Sequence, residues 1–160
     1  EAQVDRFMLK LVVGYPSKQE EQQIIRQNTQ GLTVPPIKPV ASTQEIMTAR
    51  ELVRQVYVDE KVENYILDIV FATRYPDKYQ LSRIKPFISF GGSPRASINL
   101  VLAAKAHAFL QKRGYVVPED VRAICPDVLR HRLGLTYEAE AEGIHPEDVI
   151  ERVLNAVPVP

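Results

Sequence analysis

Residues 91–96 read Gly-Gly-Ser-Pro-Arg-Ala and place an arginine in the first turn of a predicted helix. The glycines leave the backbone free, Ser93 can cap the helix, and Pro94 suits the first helical position, where no amide donor is needed. The charge of Arg95 then opposes the positive end of the helix dipole, a cost of up to about 1 kcal/mol that an anion would relieve. Exposed amides beside a guanidinium can bind phosphate. On spacing alone, however, a capped helix whose Arg95 meets a carboxylate is the better interpretation.

The rest of the pattern is mainly helical. An apolar run over residues 98–110 gives the Ser93 helix a buried face, and we expect Gly114 to end it. Capping boxes at Ser17–Glu20 and Ser42–Glu45 open two further helices, the first running to about Asn28. Another begins near Asp59 and ends before Pro76. The residues expected to share one face are Ile46, Ala49, Val53 and Val56 on one helix and Val62, Ile66, Ile69 and Thr73 on the next.

Prolines mark the later helices. Pro118 and Pro146 each stand at a helix start with acidic residues in the first turn. Pro126 would remove an interior hydrogen bond, so we expect two short helices around it.

Three segments are predicted to be extended. Residues 8–13 suit a strand, and the short segments 115–117 and 135–137 can pair with each other. Residues 31–40 contain three prolines and form the expected domain boundary. The sequence therefore predicts a helical bundle over residues 41–160, preceded by a strand–helix unit over residues 1–40.

Composition excludes some classes of function. Twenty basic and twenty acidic residues give zero net charge, which argues against nucleic-acid binding and membrane-surface binding. One cysteine cannot form an internal disulfide, and no apolar run reaches membrane-spanning length. With no visible signal peptide, we expect a cytoplasmic protein without membrane insertion.

The motif at residues 91–97 resembles sensor 2 of the MoxR family of AAA+ ATPases, usually written with Gly-Ala before Ser-Pro-Arg. The resemblance also covers residues 1–7, 13–17, 115–122, 128–133 and 137–143, and it is weaker over residues 78–90. It implies the end of an AAA+ core over residues 1–40 and an AAA+ helical lid over residues 41–160.

The resemblance also implies roles for two arginines. Arg95 would be the sensor-2 residue, which with Ser93 and Pro94 meets the phosphates of ATP bound by its own subunit. Arg6, in Asp5-Arg6-Phe7, is similar to the arginine finger that acts on ATP of the neighbouring subunit. A planar guanidinium suits the charge that develops on a transferring phosphoryl group. The alternative for this segment is a surface ion pair of Asp5 with a nearby base, worth at most about 1 kcal/mol.

By the same resemblance, the parent protein is an ATP hydrolase that uses ATP and Mg²⁺, which its core mainly binds. It forms a ring, usually a hexamer, and drives chaperone-like assembly or activation of clients, often with partners that carry von Willebrand factor A domains. The chain has no Gly-x-x-x-x-Gly-Lys-Ser/Thr loop, so we expect it not to hydrolyse ATP alone. The alternatives are a helical protein-interaction adaptor without a nucleotide role and a magnesium-chelatase-type ATPase subunit.

Other chemical motifs have simpler interpretations. Val-Tyr-Val-Asp-Glu at residues 56–60 resembles a Walker B strand, but Asp59 also fits a helix cap, which we favour. No histidine has an acid or cysteine at metal-ligand spacing, so no metal site is predicted. Cys125 is interpreted as a buried structural thiol. Residues 130–132, Arg-His-Arg, suit the negative end of a helix dipole, and a basic partner surface is the second interpretation.

Overall fold

The computed structural model describes residues 3–29 and 36–160. Its α-helices are α1 (Lys18–Thr29), α2 (Thr43–Gln55), α3 (Glu60–Arg74), α4 (Pro94–Leu110), α5 (Pro118–Leu129), α6 (Tyr137–Ala141) and α7 (Pro146–Ala156). Two short strands are β1 (Ile88–Phe90) and β2 (Gly134–Leu135), and 3-10 helices cover Val4–Arg6, Pro76–Tyr79 and Ser82–Phe87. The predicted fold class, a mainly helical bundle with short extended segments, is confirmed.

Local capping chemistry sets the helix starts, as predicted. Ser42 closes a capping box with Glu45, and Ser17 and Glu20 exchange the same pair of hydrogen bonds before α1. Asp59 accepts a hydrogen bond from the Lys61 amide and caps α3, so the cap interpretation of the Walker B-like stretch is confirmed. Ser93 caps α4 with Pro94 at the first helical position.

The core lies where α3, α4, α5 and α7 pack together. Its buried side chains include the predicted α3 stripe, together with Leu100 of α4, Val121 and Leu129 of α5, and Ile150 of α7. The α2 prediction is only partly confirmed. No residue within Thr43–Gln55 is buried, Ile46 is exposed, and only Val56, just beyond the helix, enters the core.

Two helix predictions are wrong. Residues 118–129 form one helix through Pro126, because the Pro126 carbonyl still accepts from the Arg130 amide and Cys125, Val128 and Leu129 bury completely on either side. The burial of this apolar face outweighs the one missing donor. Helix α4 ends at Leu110 rather than at Gly114, and the chain turns at Lys112, which has a φ of 59°.

The extended segments pair differently from the prediction. Strand β1 pairs antiparallel with β2, with Ile88 opposite Leu135, while Tyr115 forms a parallel bridge with Tyr57. Segments 115–117 and 135–137 therefore find separate partners.

The predicted strand at residues 8–13 does not form. A strand needs a neighbour for its ladder, and the polar backbone groups at the start of this segment bond to the end of α5 instead. Residues 1–2 and the first half of the predicted 31–40 connector lie outside the described residues, so the division at residue 40 stays a prediction. Within the described ranges, no helix has the length and apolar character needed to cross a membrane.

Candidate functional site at the start of helix α4

A carboxylate occupies the position in front of α4 where the sequence predicted an anion. The Ser93 hydroxyl donates to both carboxylate oxygens of Asp5, at 3.1 and 3.0 Å, and accepts from the Arg95 amide at 3.2 Å. Arg95 Nη1 lies 3.5 Å from Asp5 Oδ2. The carboxylate thus compensates both the helix dipole and the Arg95 charge.

Arg132 also holds the Asp5 carboxylate. Its side chain is fully buried, and its Nε donates to Asp5 Oδ1 at 3.1 Å. The remaining guanidinium donors reach carbonyls on both sides of Arg6: Asp5 at 3.0 Å, Met8 at 3.1 Å and Phe7, besides Val128 in α5. Burial lowers the pKa of Arg132 and Asp5 opposes that shift, so this planar donor stays charged in a nearly dry site.

The neighbouring residues extend this attachment along residues 5–10. His131 Nε2 lies 2.9 Å from the Phe7 carbonyl oxygen, Arg130 donates to the Lys10 carbonyl, and the Lys10 amide donates to the Asp127 carbonyl at 2.9 Å. Arg-His-Arg at residues 130–132 therefore holds a chain segment, an outcome that neither sequence interpretation contained. We call residues 5–10 the docked segment.

The chain leading into α4 is fixed by close packing on α3. A Cβ added at Gly91 would lie 2.6 Å from backbone atoms of Thr73. The Gly92 amide donates to the Thr73 hydroxyl at 3.0 Å, and its carbonyl accepts from Arg74 Nε at 2.6 Å. Gly91 serves close packing here, so the flexible glycine lead-in that we expected is wrong.

The two predicted arginines differ in their surroundings. Arg95 is 57% exposed and has one long contact with a carboxylate, so its guanidinium can turn toward another anion without leaving a buried site. Arg6 is exposed and ends the 3-10 helix Val4–Arg6, directly after Asp5. Asp5 therefore joins the two predicted positions: it bonds to one arginine and precedes the other in the chain.

A second carboxylate cluster lies at the opposite end of α4. Asp120, 1% exposed, accepts from Arg113 through both oxygens, from the Val117 amide at 2.9 Å, and meets His107 Nδ1 at 2.7 Å. Burial opposes ionisation, but these donors outweigh it and hold the Asp120 pKa below its ordinary value. Every carboxylate oxygen has partners, so this cluster stabilises the fold. The local spacing around His107 did not indicate this cluster, because Asp120 lies 13 residues away on the next helix.

Burial also shifts the pKa of two other groups. Burial raises the pKa of Cys125 to about 12, which confirms the structural thiol. Burial also lowers the pKa of His131, against the raising effect of the Phe7 carbonyl. Among residues 3–29 and 36–160, no group of three His, Cys, Asp or Glu side chains is arranged to hold a metal ion.

The observed donors suit a phosphate group at the start of α4. Ser93 and Arg95 already converge on one oxyanion, the Asp5 carboxylate, and Pro94 has no N–H that would need a partner. Nothing in the sequence pattern pointed to Arg132, because the spacing of residues 130–132 carries no information about a segment more than a hundred residues away.

Comparison with known proteins identifies relatives over the whole chain. Residues 80–153 match the family described as the AAA lid domain. The chain is 44% identical to Chaperone MoxR1 of Mycobacterium tuberculosis and 36% identical to the uncharacterized protein YeaC of Bacillus subtilis, over all 160 residues in both cases. These alignments cover 42% and 47% of the two relatives, so the chain spans less than half of their length.

A solved structure agrees with these relatives. An ATPase candidate from Cytophaga hutchinsonii superposes with a TM-score of 0.93 and 40% sequence identity, over 99% of this chain and 48% of that one. The structural comparison therefore agrees with the sequence comparison.

Proposed function

Because the chain belongs to the MoxR family of AAA+ ATPases, we propose that it serves as the lid through which a parent ATPase couples ATP binding and hydrolysis to work on other proteins. In this proposal residues 1–40 are the end of the AAA+ core and residues 41–160 are the lid. Arg95 is sensor 2, acting on ATP of its own subunit, and Arg6 is the arginine finger, acting on the neighbour's ATP.

The observation that carries the proposal is the anion-binding arrangement at the start of α4. Ser93 and Arg95 meet one carboxylate, and Arg95 is more than half exposed. A γ-phosphate carries more charge than the Asp5 carboxylate and offers three oxygens to a planar donor. Arg95 can therefore exchange its single 3.5 Å contact for stronger ones, and such an exchange would report the state of the nucleotide to α4 and the helices packed on it.

The nucleotide chemistry comes from ATP with Mg²⁺, both held mainly by the core of the parent protein. Ser93 and Pro94 would place the first turn of α4 against the phosphates, and Arg95 would neutralise charge there. Arg6, being exposed, is available to a neighbouring subunit. Its role would be to stabilise charge on the oxygens of the transferring phosphoryl group.

The proposal also covers how the parent protein assembles and which proteins it acts on. If Arg6 acts on the ATP of the neighbouring subunit, every subunit needs a neighbour, which a closed ring provides. We propose that this ring is a hexamer. One relative is named a chaperone, which supports chaperone-like assembly or activation of client proteins. The proposal of von Willebrand factor A domain proteins as partners rests on the family resemblance alone.

The experiment is ATP hydrolysis by the full-length protein with Arg95→Ala or Arg6→Ala. Removal of the finger should lower kcat by about 10³–10⁵. Mixing each variant with subunits that cannot bind ATP should restore activity to Arg6→Ala, because its neighbours still supply a finger, but not to Arg95→Ala. Arg83→Ala, at an exposed arginine elsewhere in the lid, is the matched control.

Two results would contradict the proposal. Unchanged hydrolysis in both variants would remove the arginines from the mechanism. An inactive full-length protein that still captured a protein partner would favour the adaptor. The present chain alone is expected to show no hydrolysis.

A further inference from the structure

The docked segment connects Arg6 to the lid rather than leaving it to the core alone. Arg132 donates to the carbonyls of Asp5, Phe7 and Met8, which lie on both sides of Arg6. The Arg132 side chain is fully buried, so its donors bond to protein acceptors rather than to water. The Arg6 backbone is therefore held at its two flanks by one side chain of the lid.

The remaining bonds of the segment go to the same lid element. Phe7 and Lys10 bond to residues at the end of α5 through His131, Arg130 and the Asp127 carbonyl. Helix α5 packs along α4 and α7 in the core. Any rigid-body rotation of the lid would therefore carry residues 5–10 with it.

We propose that Arg132 is a positioning residue for Arg6, and that it makes the arginine finger move with the lid of its own subunit. Asp5 completes the connection, because it bonds to Arg132 on one side and to Ser93 and Arg95 on the other. If a phosphate draws Arg95 away, Asp5 keeps its bond to Arg132 and the docked segment stays attached. The nucleotide of one subunit then sets where that subunit presents its finger to the next.

This inference rests on the proposed role of Arg6, and its test separates the two ideas. Hydrolysis is measured in the full-length ring for Arg132→Gln, Arg6→Ala and the double variant. Because misplacement by about 1 Å can cost about 10²-fold, Arg132→Gln should lower kcat by about that factor with little change in KM for ATP. The double variant should be no slower than Arg6→Ala alone, since both changes remove the same contribution.

Mixed rings give the decisive measurement. Arg132→Gln subunits mixed with subunits that cannot bind ATP but keep Arg6 and Arg132 should regain activity, because intact neighbours then supply the finger. A defect confined to the subunit's own site would not be restored. The matched control is Arg122→Gln, which removes an arginine of α5 that bonds within the lid, to the Leu154 carbonyl and Asn155, without contacting residues 5–10.

Each result has one meaning. Full activity of Arg132→Gln, or a loss that mixing does not restore, overturns the inference while leaving the Arg6 proposal intact. Full activity of Arg6→Ala overturns the Arg6 proposal itself. If Arg132→Gln does not assemble, Arg132→Lys keeps the charge beside Asp5 but loses the fork geometry, and the same pattern is expected. Failure of both to assemble would show that Arg132 is needed for the fold and would overturn a positioning role.

Discussion

The two ends of α4 carry carboxylate–arginine clusters that differ in how they are built. At the C-terminal end, Asp120 is 1% exposed and its partners lie within 13 residues of it in the chain. At the N-terminal end, Asp5 is 20% exposed and its partners Ser93 and Arg132 lie 88 and 127 residues away. The first is a closed local cluster, and the second is an open long-range one.

This difference separates stability from function. The oxygens of Asp120 have every donor they need and no path to a ligand, so changes there should act on folding. Asp5 shares its carboxylate between a fully buried arginine and an exposed one, so part of the cluster can exchange partners while the other part stays fixed. Substitutions should therefore reduce stability most at Asp120, less at Asp5 and least at Arg95.

The largest effect is expected for Asp120→Ala. It leaves the guanidinium of Arg113, which is 26% exposed, with the Tyr115 carbonyl as its remaining acceptor, and it removes the acceptor of the Val117 amide. The free energy of unfolding should therefore fall by more than in Asp5→Ala. Urea unfolding should show this loss, while Glu119→Ala, at the exposed acid beside it, should stay within about 0.5 kcal/mol. Equal losses in the two variants would show that the cluster has no special role in folding.

A smaller and more local effect is expected for Asp5→Ala. Hydrogen bonds to charged groups contribute about 1.5–3 kcal/mol where they are buried, and Asp5 is partly exposed, so we expect about 1–2 kcal/mol. Hydrogen exchange of the Lys10 amide should accelerate while amides in the middle of α4 keep their protection. Uniform acceleration across the bundle would contradict a local role. Asp77→Ala, which removes an exposed ion pair with Lys85, is the control.

The clusters should also differ in pH dependence. The pKa of His131 is lower in the folded state than its ordinary 6.5, mainly because the ring is buried. The unfolded state therefore takes up the proton first, and the free energy of unfolding falls as the pH drops through about 6.5. Exchange of the Lys10 amide should accelerate over this range, and His131→Gln should remove that dependence.

The Asp120 cluster should respond in a lower pH range. Its folded pKa lies below the ordinary 3.8, so its contribution to stability is present above that value and is lost as the pH falls through the folded pKa. Acid unfolding should shift in Asp120→Asn and not in His131→Gln. A shift in both would show that the two clusters are coupled.

The smallest effect on stability is expected for Arg95→Ala. An exposed ion pair contributes at most about 1 kcal/mol, and removing a positive charge from a helix N-terminus returns part of it. Thermal unfolding should stay within about 0.5 kcal/mol of the parent chain, as for Arg54→Ala, which also breaks an exposed pair. A loss as large as that of Asp5→Ala would mean that Arg95 is structural and would weaken the sensor-2 proposal.

Sequence reasoning succeeded where the chemistry is local. The caps at Ser42, Asp59 and Ser93 and the buried stripe of α3 follow from spacing within one or two turns, and all are confirmed. It failed where packing between distant segments determines the local structure, as for the continuous helix through Pro126.

The candidate site shows the same limit. The sequence indicated that an anion would stand before α4, but not that Asp5 supplies it or that Arg132 fixes Asp5 from behind. No periodicity relates residues 88 or 127 positions apart. The role of Arg6 stays a prediction, because its partner would be another subunit.

The chain passes close to α3 just before Ser93, and as a result the two adjacent glycines differ in how well they tolerate substitution. A methyl group at Gly91 would collide with the Thr73 backbone, which cannot yield without moving α3. A methyl group at Gly92 would lie 3.0 Å from the Ala96 Cβ and 3.5 Å or more from Val70 and Thr73, so the first turn of α4 would have to move only slightly. In a library of variants, alanine should therefore be tolerated better at Gly92 than at Gly91.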